Sequence, residues 1–115
     1  MKKRILVVED DASIRRGIVD ALAFSGYEPV EAANGDEGMR LATRVGYDLL
    51  LLDLILPGPD GLQILAEVRT ARPTMPVIIL TAHGDVASAR AALKNGAFDF
   101  IEKPVDDTAL SSTID

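Results

Sequence analysis

Asp48-Leu49-Leu50-Leu51-Leu52-Asp53 is the stretch on which the fold turns. Four successive leucines offer solvent no polar position on either side. A strand of this kind is covered on both faces, as in a parallel sheet sandwiched between helices. The acid that follows is the anomaly. A carboxylate placed straight after four buried leucines is costly unless it has a partner.

Outward from this strand, short apolar runs alternate with helical segments. Upstream, Arg4 to Val8 reads as a buried strand. Asp11 or Ser13 caps a helix with Ile14, Ile18 and Leu22 inward, and Gly26 closes it. Tyr27 to Ala32 is a weaker strand. Asn34-Gly35-Asp36-Glu37 then opens a helix through Met39, Ala42 and Val45, ended by Gly46. Downstream, Asp60 caps a helix carrying Leu62, Leu65 and Val68, which Pro73 and Pro76 end. Val77 to Leu80 is a fourth strand. Gly84-Asp85 begins a helix with Val86, Ala89 and Leu93, and Asn95-Gly96 ends it. Phe98 to Ile101 is a fifth strand, and Asp106-Asp107 caps a last helix with Leu110 and Ile114 inward.

Five strand–helix units with short links imply parallel strands joined by right-handed crossovers. The expected fold is α/β, an open doubly wound sheet with helices on both faces and any site at the carboxyl ends of the strands. The last helix is short, which suggests that residues 1–115 were cut from something longer.

The 115 residues suit one domain. No apolar run approaches the roughly eighteen residues of a membrane span. The apolar run after the basic start, Ile5 to Val8, is too short for a signal-peptide core, so a cytoplasmic location is expected. The absence of cysteine excludes disulfides, thiolate metal sites and thiol catalysis. A net charge of -6 without a basic patch argues that this segment itself binds no nucleic acid, and suits a site that collects a divalent cation.

The strand ends carry the chemistry. The first ends in Glu9-Asp10, the third in Asp53, the fourth in Thr81, and the fifth runs into Lys103-Pro104. A parallel sheet brings these ends to one edge. Three carboxylates there repel by roughly a few kcal/mol per close pair at an effective dielectric of about 20, so some protonate or a cation sits among them. Oxygen donors without His or Cys favour a hard ion, Mg²⁺ or Mn²⁺. With the Lys103 ammonium and the Thr81 hydroxyl they make a pocket for a tetrahedral dianion, and a carboxylate inside it can attack phosphorus. Taken singly, each residue has a plainer reading. Glu9-Asp10-Asp11 is a helix start, Thr81 a strand-end hydroxyl, Lys103 a loop lysine and Phe100 an edge aromatic. Gly58 and Gly61 are turn residues, and the sole histidine, His83, is a surface loop residue. Only the joint pattern outweighs these readings.

That pattern resembles the receiver domain of bacterial two-component response regulators. It is carried by Val7-Val8-Glu9-Asp10-Asp11, by Asp53 to Pro57 with Gly58 and Asp60-Gly61, by Thr81-Ala82, and by Phe100-Ile101-Glu102-Lys103-Pro104. The resemblance covers the whole chain. It implies a flavodoxin-like five-stranded parallel sheet of order 2-1-3-4-5. It further implies that Asp53 accepts a phosphoryl group from a sensor histidine kinase, with Mg²⁺ held by Glu9, Asp10, Asp53 and the backbone carbonyl of Ile55. Lys103 would pair with the phosphoryl oxygens, Thr81 would bond to them, and Phe100 would turn inward as Thr81 moves. The Lys103-Pro104 bond is expected to be cis. Leu56 stands where the family usually has Met, and Glu9 where many members have Asp. Ile55, two positions after Asp53, cannot orient a water, so slow self-dephosphorylation is expected.

The implied function is a phosphorylation-controlled switch of a two-component system, not a turnover enzyme. Its face from Val86 to Asn95 and Phe98 to Ile101 would meet a partner or a second copy in a phosphorylation-dependent homodimer, with transcription as the output. An aspartyl phosphatase is disfavoured because it would need an acid at Ile55. A nucleotide-binding domain is disfavoured because no glycine-rich phosphate loop follows the first strand. A receiver that only mediates contacts is disfavoured by the complete site.

Overall fold

The computed structural model describes residues 2–44, 46–82 and 84–114. His83 and Val45 lie outside the described residues. The elements run β1 (Arg4–Val8), α1 (Ala12–Phe24), β2 (Glu28–Ala32), α2 (Gly35–Ala42), β3 (Leu49–Asp53), α3 (Gly61–Ala71), β4 (Val77–Thr81), α4 (Val86–Lys94), β5 (Asp99–Glu102) and α5 (Asp107–Ile114). All neighbouring strands are parallel, in the order β2-β1-β3-β4-β5. The sheet is the one implied by the leucine run and the strand–helix alternation.

β3 is central and every one of its residues is buried. Its alternation of side chains feeds two cores. Leu50 and Leu52 face one side with Leu6, Val8, Val77 and Ile79, under Ile64, Leu65 and Val68 of α3 and Ala92 of α4. Leu49 and Leu51 face the other with Ile5, Val7, Ile78 and Leu80, under Ile18 and Leu22 of α1 and Leu110 of α5. Each fully buried leucine contributes about 1.5–3 kcal/mol relative to exposure, so this strand fixes the register of the sheet.

The caps are local and mostly as the sequence implies. Asp11, Asn34, Asp60 and Asp85 each accept from the backbone amide three residues on. Asp60 forms a full capping box with Gln63. Ser25 caps α1 at its far end, ahead of Gly26, and Asn95 does the same for α4.

Two helix faces and one helix end differ from expectation. Leu62 is exposed, and α3 buries Ile64 instead, with Leu65 and Val68. Val86 and Leu93 are exposed, and α4 meets the sheet through Ala89 and Ala92. Small residues there let the helix axis approach the strands. α2 stops at Ala42, before Gly46, where the Thr43 hydroxyl turns back to donate to the Met39 carbonyl. Among the described residues, no helix is long and apolar enough to cross a membrane.

Candidate functional site

The parallel strands deliver Glu9 just after β1, Asp53 at the end of β3, Thr81 at the end of β4 and Lys103 just after β5. These side chains converge on one cleft at the carboxyl edge of the sheet, together with Asp10, Ile55 and Asp85. Glu9 is wholly inaccessible, and Asp53 and Thr81 are buried, whereas Asp10 is exposed. Carboxylate oxygens of Glu9, Asp10 and Asp53 all lie within 4.8 Å of one another.

Lys103 is the hub. Its Nζ lies 2.7 Å from Glu9 Oε1 and donates to Asp53 Oδ2 at 2.9 Å. Asp53 Oδ1 accepts from the Ile55 amide at 3.2 Å, and Glu9 Oε2 accepts from the Asp11 amide at 3.0 Å. The Lys103-Pro104 peptide is cis, as expected. The Glu9–Lys103 ion pair was not legible in the sequence, where Glu9 reads as a ligand reaching toward a cation.

Electrostatically the cleft holds more negative charge than one ammonium neutralises. Burial pushes the Glu9 carboxyl up to about 7 from an ordinary 4.5, against the pull of Lys103 and the Asp11 amide and with repulsion from Asp53 added. Burial alone would lower the Lys103 pKa, but its bonds to Glu9 and Asp53 outweigh that and raise it. Glu9 is therefore a carboxylate partly held in its neutral form. The Thr81 hydroxyl is buried in the same cleft and has no hydrogen-bond partner among the described residues. An all-oxygen donor set with surplus negative charge could hold a hard divalent cation.

Other site residues fall where the sequence implies. Ile55 is 73% exposed at the cleft mouth and presents no donor or acceptor from its side chain. Phe100 is half-buried against the core on the α3–α4 face, opposite Ile79 in the ladder. Two features escaped sequence reading. Asp85 lines the cleft while capping α4. Gly61 is the first residue of α3 rather than a turn residue, packed so closely on β3 that a Cβ there would sit 2.6 Å from the Asp53 carbonyl oxygen. Gly58, with φ +80°, is a turn residue as expected.

A parallel 2-1-3-4-5 sheet with an acidic cleft and a lysine at its carboxyl edge defines the class. Residues 5–115 match the family model for the response regulator receiver domain, and the chain belongs to that family. It is 43% identical over 111 residues to the transcriptional regulatory protein GlrR of Escherichia coli (strain K12), covering 96% of this chain and 25% of the relative. It is 41% identical over 102 residues to the DNA-binding transcriptional regulator NtrC of Salmonella typhimurium, covering 89% of this chain and 22% of the relative. A receiver domain structure from Clostridium thermocellum superposes with a TM-score of 0.91 at 38% identity, covering 97% of this chain and 90% of that one. NtrX from Brucella abortus superposes with a TM-score of 0.92 at 34% identity, covering 99% of this chain and 26% of that one. The chain thus spans about a quarter of the length of the curated relatives it matches.

Proposed function

We propose that this domain is a phosphorylation-activated switch in which Asp53 accepts a phosphoryl group from a sensor histidine kinase. The observation that carries the reading is the meeting of Asp53, Glu9, Asp10, Lys103 and the unpartnered Thr81 hydroxyl in one cleft. An Asp53 carboxylate oxygen attacks the phosphorus of a phosphohistidine. The P–N bond breaks, and the departing imidazole nitrogen keeps the electron pair and takes up a proton. The ammonium of Lys103, already at Asp53 Oδ2, moves to the phosphoryl oxygens, and Thr81 gains in them the acceptor its hydroxyl lacks.

Glu9, Asp10, Asp53 and the Ile55 carbonyl would hold Mg²⁺, with Mn²⁺ as a substitute. Bound there, the ion neutralises charge on the attacking carboxylate and the phosphoryl group. The new charge biases Thr81 and Phe100, and through them the α4–β5–α5 face. On that face Val86, Leu93 and Phe98 are exposed apolar residues, which supports a phosphorylation-dependent homodimer. Unchanged sedimentation after acyl-phosphate treatment would count against dimerisation. The transcription-regulator relatives support transcription as the output of a longer regulator of which this domain is the receiver, and a cytoplasmic location belongs to the same reading. The domain is not a turnover enzyme; it catalyses only its own phosphorylation and slow dephosphorylation. Transfer from acetyl phosphate in the presence of Mg²⁺, lost in Asp53→Asn, tests the reading.

A further inference from the structure

The loop from Leu54 to Asp60 joins β3 to α3 and carries Ile55 past Asp53. Two of its residues, Pro57 and Pro59, have no amide to donate, so the loop has few ways to be held. Leu54 and Leu56 anchor it by burial. At its far end the Gly61 amide donates to the Leu54 carbonyl at 2.9 Å. For Pro57, Gly58 and Pro59, the only hydrogen bond among the described residues is the Gly35 amide donating to the Pro57 carbonyl at 2.9 Å. Gly35 is buried at the start of α2, on a different strand–helix unit.

The contact leaves no room for a side chain. A Cβ on Gly35 would fall inside the Pro59 carbonyl oxygen and lie 2.8 Å from that of Pro57. Any side chain at this position pushes the loop away. The neighbouring Asp36 carboxylate also lies over Gly58, 3.0 Å from where its Cβ would be. On the same helix Gly38 is also tight, but less so, and its Cβ would meet the Val8 side chain at 2.7 Å and not the loop.

We propose that Gly35 is a positioning residue for the acidic site. By letting the first turn of α2 clamp the 54–60 loop, it fixes the main chain of Ile55 relative to Asp53. The inference rests on the reading of this cleft as the Mg²⁺ and phosphoryl site. Loop and clamp are mechanically one body, so a change of charge at Asp53 is also felt at α2.

The test is Mg²⁺ titration followed by calorimetry and by amide resonances, on wild type, Gly35→Ala and Gly38→Ala, with urea unfolding of each. Groups that orient metal ligands typically cost about tenfold or more in affinity when altered, and Gly35→Ala is expected to lose that much. Gly38→Ala is expected to lose stability while keeping wild-type Mg²⁺ affinity. In wild type, the Gly35 amide resonance is expected to shift with the same midpoint as that of Ile55, a readout that survives if Gly35→Ala does not fold. The proposal is overturned if Gly35→Ala folds and binds Mg²⁺ like wild type, if Gly38→Ala loses affinity equally, or if Gly35 stays silent while Ile55 shifts. If wild type neither binds Mg²⁺ nor takes phosphate from acetyl phosphate, the reading of the cleft itself fails, and the clamp with it.

Discussion

Replacing Lys103 with methionine keeps the length of the side chain and removes what is, among the described residues, the one cation touching both buried carboxylates. Its Nζ stands 2.7 Å from Glu9 and 2.9 Å from Asp53. Breaking a fully buried ion pair costs about 3–5 kcal/mol, because the partner charge is left uncompensated. Two features reduce that figure here. The Lys103 side chain is 22% exposed, so water already screens part of the attraction. Glu9, already pushed up to about 7, can take a proton once the ammonium is gone. Lys103→Met is therefore expected to cost about 2 kcal/mol in metal-free protein near about pH 8, or roughly 8 °C in Tm for a domain of this size. The loss should shrink near about pH 5.5, where Glu9 is neutral in either protein. Saturating Mg²⁺ should recover part of the loss and bind more tightly than to wild type, because it no longer competes with a fixed positive charge. Urea unfolding followed by circular dichroism, with and without Mg²⁺, measures all three. A variant within about 0.5 kcal/mol of wild type at the alkaline end, the range of an ordinary surface substitution, would refute the hub role of Lys103.

Three further outcomes follow from the same cleft. Thr81→Val removes a buried hydroxyl that has no partner, so the resting protein should be unchanged or more stable by about 1 kcal/mol, while its response to acyl phosphate weakens; a clear drop in the urea midpoint would contradict this. The folded-state pKa of Glu9, about 7, lies above its ordinary 4.5, so the folded state binds the extra proton and Glu9 makes metal-free stability fall as pH rises between those values. Lys103, raised in the fold, keeps its contribution until alkaline pH. Urea midpoints across this range should fall less steeply in Glu9→Gln than in wild type, and identical slopes would be evidence against a buried, partly neutral Glu9. Phosphate on the wild-type domain should persist for minutes or longer because Ile55 cannot hold the hydrolytic water, and Ile55→Asn should shorten the lifetime; loss within seconds from purified, Mg²⁺-saturated wild type would rule this out.

Much of this molecule was legible in its sequence because one strand is unambiguous. Leu49 to Leu52 can only be a strand covered twice, and the caps at Asp11, Asn34, Asp60 and Asp85 phase the helices that cover it. The helix faces were harder. A three- or four-residue spacing selects a stripe but not its neighbour, so Leu62, Val86 and Leu93 read as core beside the correctly read Leu65, Val68 and Ala89, although Ile64 and Ala92 are what the sheet accepts in their place. Hydrophobicity favours the larger side chain, whereas a helix lying close to a sheet favours the smaller. The acidic edge was legible from strand ends alone. The pairing of Glu9 with Lys103 was not, since the two are distant in sequence and no local pattern joins them. Nor were the close approaches at Gly35 and Gly61, although both glycines directly follow a capping residue rather than a helix end, and that position asks for a packing reason.

The central claim is that Asp53 carries the phosphoryl group. Treating the wild-type domain with acetyl phosphate and Mg²⁺, trapping with borohydride and sequencing the peptides by mass spectrometry tests it most directly, because an aspartyl phosphate is reduced to homoserine where it stood. The expected result is conversion at position 53 alone, abolished by EDTA and absent in Asp53→Asn. Conversion at Asp10 or elsewhere, or none in protein shown to bind Mg²⁺, would contradict the account.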